Sequence, residues 1–154
     1  ISSVYGFGGC AAGMKEVSII IPSVTWEPFT EQCVTVCSGL FPQSQIIVVL
    51  DDDTAVNKTF GNLTVLLQGG LISKKRNAAV NIATTEFVAF IDSDAYPHKH
   101  WLSSALETLR TDNSAGMVGG PNISPPGEEQ ERTELTSSAL LDLMAEIAIN
   151  SAKA

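Results

Sequence analysis

Two aspartates one residue apart, Asp92 and Asp94, follow an apolar stretch in the segment FVAFIDSDAYPHKHW. A second acidic run, DDD at residues 51–53, follows the apolar stretch QIIVVL. Carboxylates that lie close together repel one another unless a positive charge lies between them. Oxygen ligands without His or Cys are typical of Mg²⁺ or Mn²⁺, which often bind one or two carboxylates together with substrate phosphates. These residues therefore predict a divalent-metal site that accepts a phosphorylated ligand.

The sequence contains one run of basic residues, Lys74-Lys75-Arg76, at the start of a predicted helix just before the strand that leads to Asp92. The first turn of a helix has unpaired backbone N–H groups, and cations beside it add charge-assisted hydrogen bonds to a phosphate. Together, the acidic and basic residues predict a site for a metal-bound nucleoside diphosphate. The competing interpretation is one solvated acidic turn and one solvated basic turn.

Length, composition and net charge argue against several classes of protein. The chain has 154 residues, a hydrophobic content of 44% and a formal net charge of −8. This length suits a domain with a substantial core, and the charge argues against nucleic acid as a partner. The apolar runs are of strand length, so we expect no transmembrane segment. Three cysteines without a disulfide framework, Cys10, Cys33 and Cys37, indicate reduced thiols and a cytoplasmic location.

Apolar strands alternate with amphipathic helices along most of the chain. Strands are predicted at 17–21, 45–50, 63–67, 86–91 and 115–120, and helices at 28–40, 73–83, 100–110 and 135–149. Ser73 is the expected N-cap of the second helix. This pattern predicts an α/β fold, a Rossmann-like and mostly parallel sheet with helices on both faces. Residues 1–13 are expected to be a leader or arm, and residues 14–154 a single domain.

The order of the elements also predicts where a ligand binds. Right-handed crossovers bring the carboxyl ends of parallel strands to one edge of the sheet, where ligands of such folds bind. Polar residues follow three of the strands at this edge: Pro22-Ser23 after the first, residues 51–53 after the second, and Asp92 to Asp94 after the fourth. We therefore expect the site at the carboxyl edge.

Four segments, EVSIIIPS, QIIVVLDDDT, SKKRNAAVNIATTEFVAFIDSDAYPHKHWL and GMVGGPNISPP, occur in this order over roughly residues 15–127. In order and spacing they resemble family 2 glycosyltransferases, which have the GT-A fold, a nucleotide-binding sheet with a D-x-D metal motif. The resemblance implies transfer of a sugar from a nucleotide-diphosphate sugar, typically a UDP-sugar, to a hydroxyl of a saccharide or other acceptor. It also implies Mn²⁺ or Mg²⁺ as cofactor.

The resemblance implies roles for residues on the nucleotide side of the site. Pro22 and Ser23 would line the nucleoside pocket. Asp51 would accept a hydrogen bond from the base, with Asp52 beside it in the same nucleotide-binding turn. Arg76 would contact the nucleotide from the helix before the fourth strand.

Other roles concern the metal and the donor sugar. Asp92 would face the ribose and the diphosphate, and Asp94 would ligate the metal together with Asp92. Gly119 and Gly120 would let the backbone approach the donor sugar, since glycine has no side chain; the alternative is that they simply end a strand.

The chain departs from the family pattern in two places. Val24-Thr25 stand where the family usually has Tyr-Asn, which leaves open whether Trp26 replaces the stacking tyrosine. The sequence also ends after one further helix, without the later aspartate that acts as general base, so no catalytic residue is assigned. We therefore expect a truncated or minimal domain. The alternative function is a nucleotide-sugar-binding module that lacks the acceptor half and does not transfer sugar.

The last predicted helix, 135–149, carries a wide apolar stripe. Such a stripe is typical of an interface, so we expect a homodimer, with packing of the helix onto its own sheet as the alternative.

Two other function classes fit the sequence less well. Phosphohydrolases of the haloacid dehalogenase type also have Asp-x-Asp after a strand, but on the first strand and with Thr or Val where Tyr96 stands. The segment GFGGCA at 6–11 matches a loose dinucleotide fingerprint, yet it lacks the preceding strand and the following helix.

Overall fold

The computed structural model of the chain describes residues 16–51, 61–120 and 123, and the backbone of residues 3–6. The chain divides into two compact units, Ile1–Pro121 and Asn122–Ala154. Every described helix and strand belongs to the first unit, so the architecture below is that of this unit. The predicted helix at 135–149, and with it the expected dimer interface, lies outside the described residues.

The described part of the chain contains six strands and three helices. In chain order they are β1 (Ser3–Gly6), β2 (Val17–Pro22), α1 (Pro28–Leu40), β3 (Gln45–Leu50), β4 (Leu63–Leu67), α2 (Ile72–Ile82), β5 (Phe87–Phe90), α3 (Trp101–Thr111) and β6 (Met117–Gly119). The bounds predicted for β2 to β6 and for the three helices are confirmed to within two residues. None of these three helices is long and apolar enough to cross a membrane.

The strands form one sheet in the order β4-β3-β2-β5-β1-β6. β2 pairs in parallel with β3 and β5, and β3 pairs in parallel with β4. β1 is antiparallel to both of its neighbours, β5 and β6, and is thus the one described strand that runs against the others. The expected mostly parallel sheet is therefore confirmed, and the carboxyl ends of five strands lie at one edge.

Strand β1 lies in the segment that the sequence pattern assigns to a leader. Its residue Ser3 is paired with Phe90 on one side and with Gly119 on the other, so the strand lies between β5 and β6. Residues 3–6 therefore belong to the sheet rather than to an arm outside it. A four-residue strand that ends in a glycine is too short to show the alternation by which strands are found in a sequence.

The side chains of the strands alternate between two hydrophobic clusters, one on each face of the sheet. One cluster joins β2, β3 and β5 to α1 and α3 through Ile19, Ile21, Cys33, Val34, Cys37, Ile46, Val48, Leu102, Ala105 and Leu106, among others. The other joins the same strands to α2 through Ile20, Ile47, Val49, Ala79 and Val88. The expected helices on both faces are thus confirmed.

Helix α2 begins one residue earlier than predicted, and this corrects its expected cap. The N-cap is Leu71, which makes no side-chain cap bond, so Ser73 lies inside the first turn and its predicted capping role is wrong. Gly70, with φ of +107°, turns the chain from β4 into the helix. Such a positive φ suits glycine, which has no Cβ. The early start places Lys74, Lys75 and Arg76 in the first turns of α2.

Candidate functional site

Three neighbouring strands, β3, β2 and β5, end side by side at the carboxyl edge of the sheet. Hydrogen bonds continue the strand pairing beyond β2 and β3, from Ser23 N to Val49 O (2.8 Å) and from Asp51 N to Val24 O (3.0 Å). Adjacent strands of a sheet lie about 5 Å apart. The sequence-predicted residues Ser23, Asp51 and Asp92 follow these three strands, and the structure therefore places them side by side.

Lys75, on α2, connects two of these strand ends. The residue is only 4% exposed, and its ammonium lies 2.6 Å from Oδ1 of Asp51. The same ammonium donates a hydrogen bond to the backbone carbonyl of Ser23. The sequence pattern placed Lys75 in a run of phosphate-binding cations, whereas the structure places it beneath the site, against the ends of β2 and β3.

Asp51 presents its two carboxylate oxygens to different surroundings. Oδ1 is buried and makes no hydrogen bond of good geometry with the described residues, so its contact with Lys75 is an ion pair rather than an aligned hydrogen bond. The side chain as a whole is 31% exposed. Since Oδ1 contributes almost none of that surface, Oδ2 is the polar atom that Asp51 can offer to a ligand.

A glycine packs against the backbone of Asp51. A Cβ at Gly69 would lie 3.3 Å from the Asp51 carbonyl oxygen, closer than most carbon contacts in proteins. Gly69 thus permits the close approach to the Asp51 carbonyl, and Gly70 permits the positive φ at the turn into α2. Sequence reasoning missed both glycines and the buried role of Lys75, although a Gly-Gly pair directly after an apolar strand is a recognisable turn signal.

Arg76 neutralises a second carboxylate of the site. Its Nη2 lies 3.0 Å from Oδ1 of Asp92, and both side chains are about one-third exposed, at 30% and 33%. The guanidinium also lies over the ring of Phe90, 5.6 Å from the ring centroid. The repulsion expected among the carboxylates is therefore partly relieved by cations of the chain itself, since Lys75 faces Asp51 and Arg76 faces Asp92.

The residues Asp92-Ser93-Asp94, the D-x-D segment, form a tight turn. Contacts to its backbone come from the next residue of the chain and from α1. Ala95 N donates a hydrogen bond of 3.0 Å to the carbonyl of Asp92, and the thiol of Cys33 lies 3.8 Å from the same oxygen. The Tyr96 hydroxyl donates a hydrogen bond of 3.1 Å to Gln32 on α1. The turn leaves the Asp94 side chain exposed to solvent, next to the partly exposed Asp92.

The D-x-D turn offers two carboxylates, those of Asp92 and Asp94, as ligands for a cation. Among the described residues, no group of three or more His, Cys, Asp or Glu side chains could hold a metal ion. Two carboxylates on one turn fit a hard divalent ion that takes its remaining ligands from water and from phosphate oxygens. They do not fit a closed zinc site, which needs four ligands from the protein.

Gly119 and Gly120, at the end of β6, lie at the same edge of the sheet but on the far side of β1 from Asp92. Ser3 is paired with both Phe90 and Gly119, so Gly119 lies level with the end of β5, two strand spacings or about 10 Å away. A Cβ at Gly120 would meet open space. Gly119 is the last residue of β6, as the strand-end alternative expects. The donor-sugar role of the two glycines stays a prediction.

The side-chain hydroxyl of Ser23, in the loop after β2, is hydrogen-bonded to other residues of the chain. Pro22 is buried as the last residue of the strand, while the Ser23 hydroxyl is bonded to the Thr25 carbonyl at 3.0 Å and to the Thr30 hydroxyl at 3.0 Å. Trp26 packs against the cluster beneath α1 and α3. Val24 is 61% exposed and thus offers apolar surface beside Asp51.

Asp52, which is predicted to bind the nucleotide, lies outside the described part of the chain. The glutamates that follow β6 also lie outside it, and their spacing marks none of them as a general base: Glu128, Glu129, Glu131 and Glu134. The other residues predicted for the nucleotide, the metal and the donor sugar are all described.

Comparison with known proteins adds an independent observation. The sequence profile of Glycosyl transferase family 2 matches residues 18–147. The chain is 27% identical to Glycosyltransferase AglE from Haloferax volcanii, over 68% of the chain and 38% of that relative. It is 32% identical to Poly(ribitol-phosphate) beta-N-acetylglucosaminyltransferase TarS from Staphylococcus aureus strain Mu50, over 60% of the chain and 18% of that relative. The chain thus spans less than two-fifths of the length of either relative, at 38% and 18%.

Proposed function

Because the chain belongs to Glycosyl transferase family 2, matched over residues 18–147, we propose that the carboxyl edge of its sheet binds a nucleotide-diphosphate sugar, with a UDP-sugar as the preferred donor. We further propose that the bound sugar is transferred to an acceptor hydroxyl. The observation that carries the proposal is the meeting of three strand ends and the first turns of α2. At this meeting Asp51 is paired with Lys75 and Asp92 with Arg76, and Asp94 follows two residues after Asp92.

The nucleoside end of the ligand would lie over the ends of β2 and β3. There Oδ2 of Asp51 is placed to accept a hydrogen bond from an N–H of the base, while the exposed side chain of Val24 offers apolar surface to its ring. The backbone of this pocket is fixed by the hydrogen bond from Asp51 N to Val24 O, 3.0 Å long. A rigid acceptor beside an apolar wall suits a flat heterocycle with a polar edge.

The diphosphate end would lie between α2 and the D-x-D turn. Arg76 is a charge-assisted donor with a planar fork that suits phosphate oxygens, and its guanidinium lies over the ring of Phe90. Asp94 and Asp92 would hold Mn²⁺ or Mg²⁺, which supplies Lewis acidity to the departing diphosphate. In this arrangement the metal ion would lie between the two carboxylates and the diphosphate, and Arg76 would bind the phosphates as well.

The reaction that suits this arrangement is displacement at the anomeric carbon. A bond forms from the acceptor oxygen to that carbon while the carbon–oxygen bond to the diphosphate breaks, and the electron pair leaves with the diphosphate. The proton of the acceptor hydroxyl passes to a general base, a role that is assigned to none of the described residues. Arg76 would stabilise the charge that develops on this leaving group. The name of the relative TarS makes N-acetylglucosamine a reasonable first donor sugar to test.

The test is release of UDP from UDP-N-acetylglucosamine, UDP-glucose and UDP-galactose by the full chain in Mn²⁺, with simple saccharides as acceptors. Asp94→Asn keeps the shape of the side chain but removes the charge, so we expect release to fall to background. Asp112→Asn is the matched control, since Asp112 follows α3 at the opposite edge of the sheet. Release in the wild type and the control but not in Asp94→Asn supports the proposal.

Two other outcomes would decide against sugar transfer. UDP binding without release of UDP from any sugar nucleotide would leave a binding module that does not transfer. Absence of UDP binding by the wild type would overturn the proposed site as a whole.

A further inference from the structure

We propose that Lys75 determines which nucleobase this site accepts, because it holds one oxygen of Asp51 and leaves the other as a single hydrogen-bond acceptor. The inference rests on the proposed function of the carboxyl edge as a nucleotide site. Lys75 itself would not touch the ligand, so its role is that of a positioning residue.

The first observation is the place of Lys75 within its helix. Lys75 and Ala79 are the two buried residues of α2, four positions apart, on the face that packs against the sheet. A core-facing position normally carries an apolar side chain, since burying an ammonium is costly unless it is paired and hydrogen-bonded. Here the ammonium is paired with Asp51 at 2.6 Å and donates to the Ser23 carbonyl, so the cost is offset by contacts to two strand ends of the site.

The second observation is that Asp51 is restrained on several sides. Lys75 faces Oδ1, which is buried, while Asp51 N donates to Val24 O at 3.0 Å. A Cβ at Gly69 would come within 3.3 Å of the Asp51 carbonyl oxygen, so the loop after β4 closes in on the same residue. With its backbone packed and Oδ1 engaged, the carboxylate can present Oδ2 alone to a ligand.

A single acceptor oxygen distinguishes between bases. Uracil presents one donor, N3–H, between two carbonyl oxygens, and one carboxylate oxygen satisfies that donor. Guanine presents two adjacent donors, N1–H and the 2-amino group, which together match both oxygens of a carboxylate. A site that offers only Oδ2 leaves one guanine donor without a partner, and an unpaired buried donor costs binding free energy. The wild-type site should therefore prefer UDP to GDP.

Calorimetric titration of the full chain with UDP and with GDP, in Mn²⁺ throughout, tests this inference. Lys75→Met keeps the length of the side chain and removes the ammonium, so both oxygens of Asp51 become available. We expect the ratio of UDP to GDP affinity to fall roughly tenfold, the size of one lost or gained charged hydrogen bond. Lys74→Met is the matched control, because Lys74 is exposed on the same helix turn and does not contact Asp51. It should change both affinities by the same factor and leave the ratio as it is.

A double-mutant cycle shows whether Lys75 acts through Asp51. Asp51→Asn should lower the UDP to GDP ratio by itself, and Lys75→Met added to it should change the ratio by no more than about twofold. The double variant also leaves no unpaired buried carboxylate, so it remains informative if Lys75→Met alone does not fold. A further loss of selectivity in the double variant would show that Lys75 acts independently of Asp51 and would overturn the inference.

The outcomes separate this inference from the proposed function. UDP binding with an unchanged ratio in Lys75→Met, or a wild type that prefers GDP, overturns the role of Lys75 and leaves the nucleotide site intact. A wild type that binds neither nucleotide overturns the site, and the role of Lys75 falls with it.

Discussion

The guanidinium of Arg76 lies 3.0 Å from the carboxylate of Asp92, the first aspartate of the D-x-D segment. Its neighbour in the sequence, Lys75, is paired with Asp51, which follows β3, on the other side of β2 from β5. Consecutive residues of one helix turn thus neutralise two carboxylates that follow two different strands. Asp51 and Asp92 therefore have counter-charges from the chain itself, whereas the side chain of Asp94 is exposed to solvent.

Replacement of Arg76 by methionine should affect binding more than stability. The ion pair with Asp92 is about one-third exposed, at 30% and 33%, and pairs of this kind contribute about 0.2–1 kcal/mol to the free energy of unfolding. Loss of a charge-assisted contact to the diphosphate should weaken UDP binding roughly tenfold. Denaturant unfolding and calorimetry measure the two effects.

Arg110→Met is the control for this prediction. Arg110 is also paired with a carboxylate, that of Glu16, and lies over a phenylalanine ring, that of Phe87, at 6.0 Å, but at the amino end of β5. It should lower stability by a similar amount and leave UDP affinity unchanged. Equal losses of UDP affinity in both variants would contradict the assignment of Arg76 to the diphosphate.

Substitution of Gly70 by alanine should destabilise the chain by about 1 kcal/mol or more, because its φ of +107° is strained for a residue with a Cβ. Gly39→Ala is the control, since Gly39 lies near the end of α1 with nothing within 4 Å of a new Cβ. Alanine there should stabilise the helix by about 0.5–1 kcal/mol. Chemical denaturation of both variants gives the comparison, and a neutral or stabilising Gly70→Ala would refute the turn geometry.

The thiol of Cys37 should make stability decline in alkaline solution. Its hydrogen bond with Cys33, followed by burial, raises the pKa of Cys37 above the ordinary value of 9.0. Because the folded-state pKa is the higher one, the unfolded chain loses this proton first, and the free energy of unfolding falls as pH rises above about 9. Cys37→Ala should show a shallower decline across the same range. If the free energy of unfolding falls equally steeply with pH in the wild type and in Cys37→Ala, Cys37 is not a buried, protonated thiol.

Much of the fold was predictable because its signals are local. The runs VSIII and QIIVVL are buried on both faces of a parallel sheet, and this requires continuous apolar side chains. The same reasoning places Ser23, Asp51 and Asp92 at strand ends, and parallel topology then brings them together. These residues were found because their position depends on the order of the elements and not on fine side-chain geometry.

Other features could not be predicted, because they depend on contacts between distant segments. Nothing in the run Lys74-Lys75-Arg76 shows that the middle residue points into the core while the third reaches Asp92; this depends on the rotation of α2 against the sheet. Strand β1 is recognised only through its pairing with β5 and β6. Ser73 was expected to cap α2, but the turn at Gly70 lets the helix begin earlier.

We propose that the D-x-D turn and α2 form a metal-dependent site for a nucleoside diphosphate. Titration of the full chain with UDP by calorimetry, once in Mn²⁺ and once after removal of divalent ions with EDTA, is the decisive experiment. We expect affinity to drop at least about tenfold without metal, because the diphosphate would then face Asp92 and Asp94 with no cation between them. We also expect Asp94→Asn to bind UDP weakly in either buffer. Equal affinity of the wild type for UDP in Mn²⁺ and in EDTA would contradict the claim.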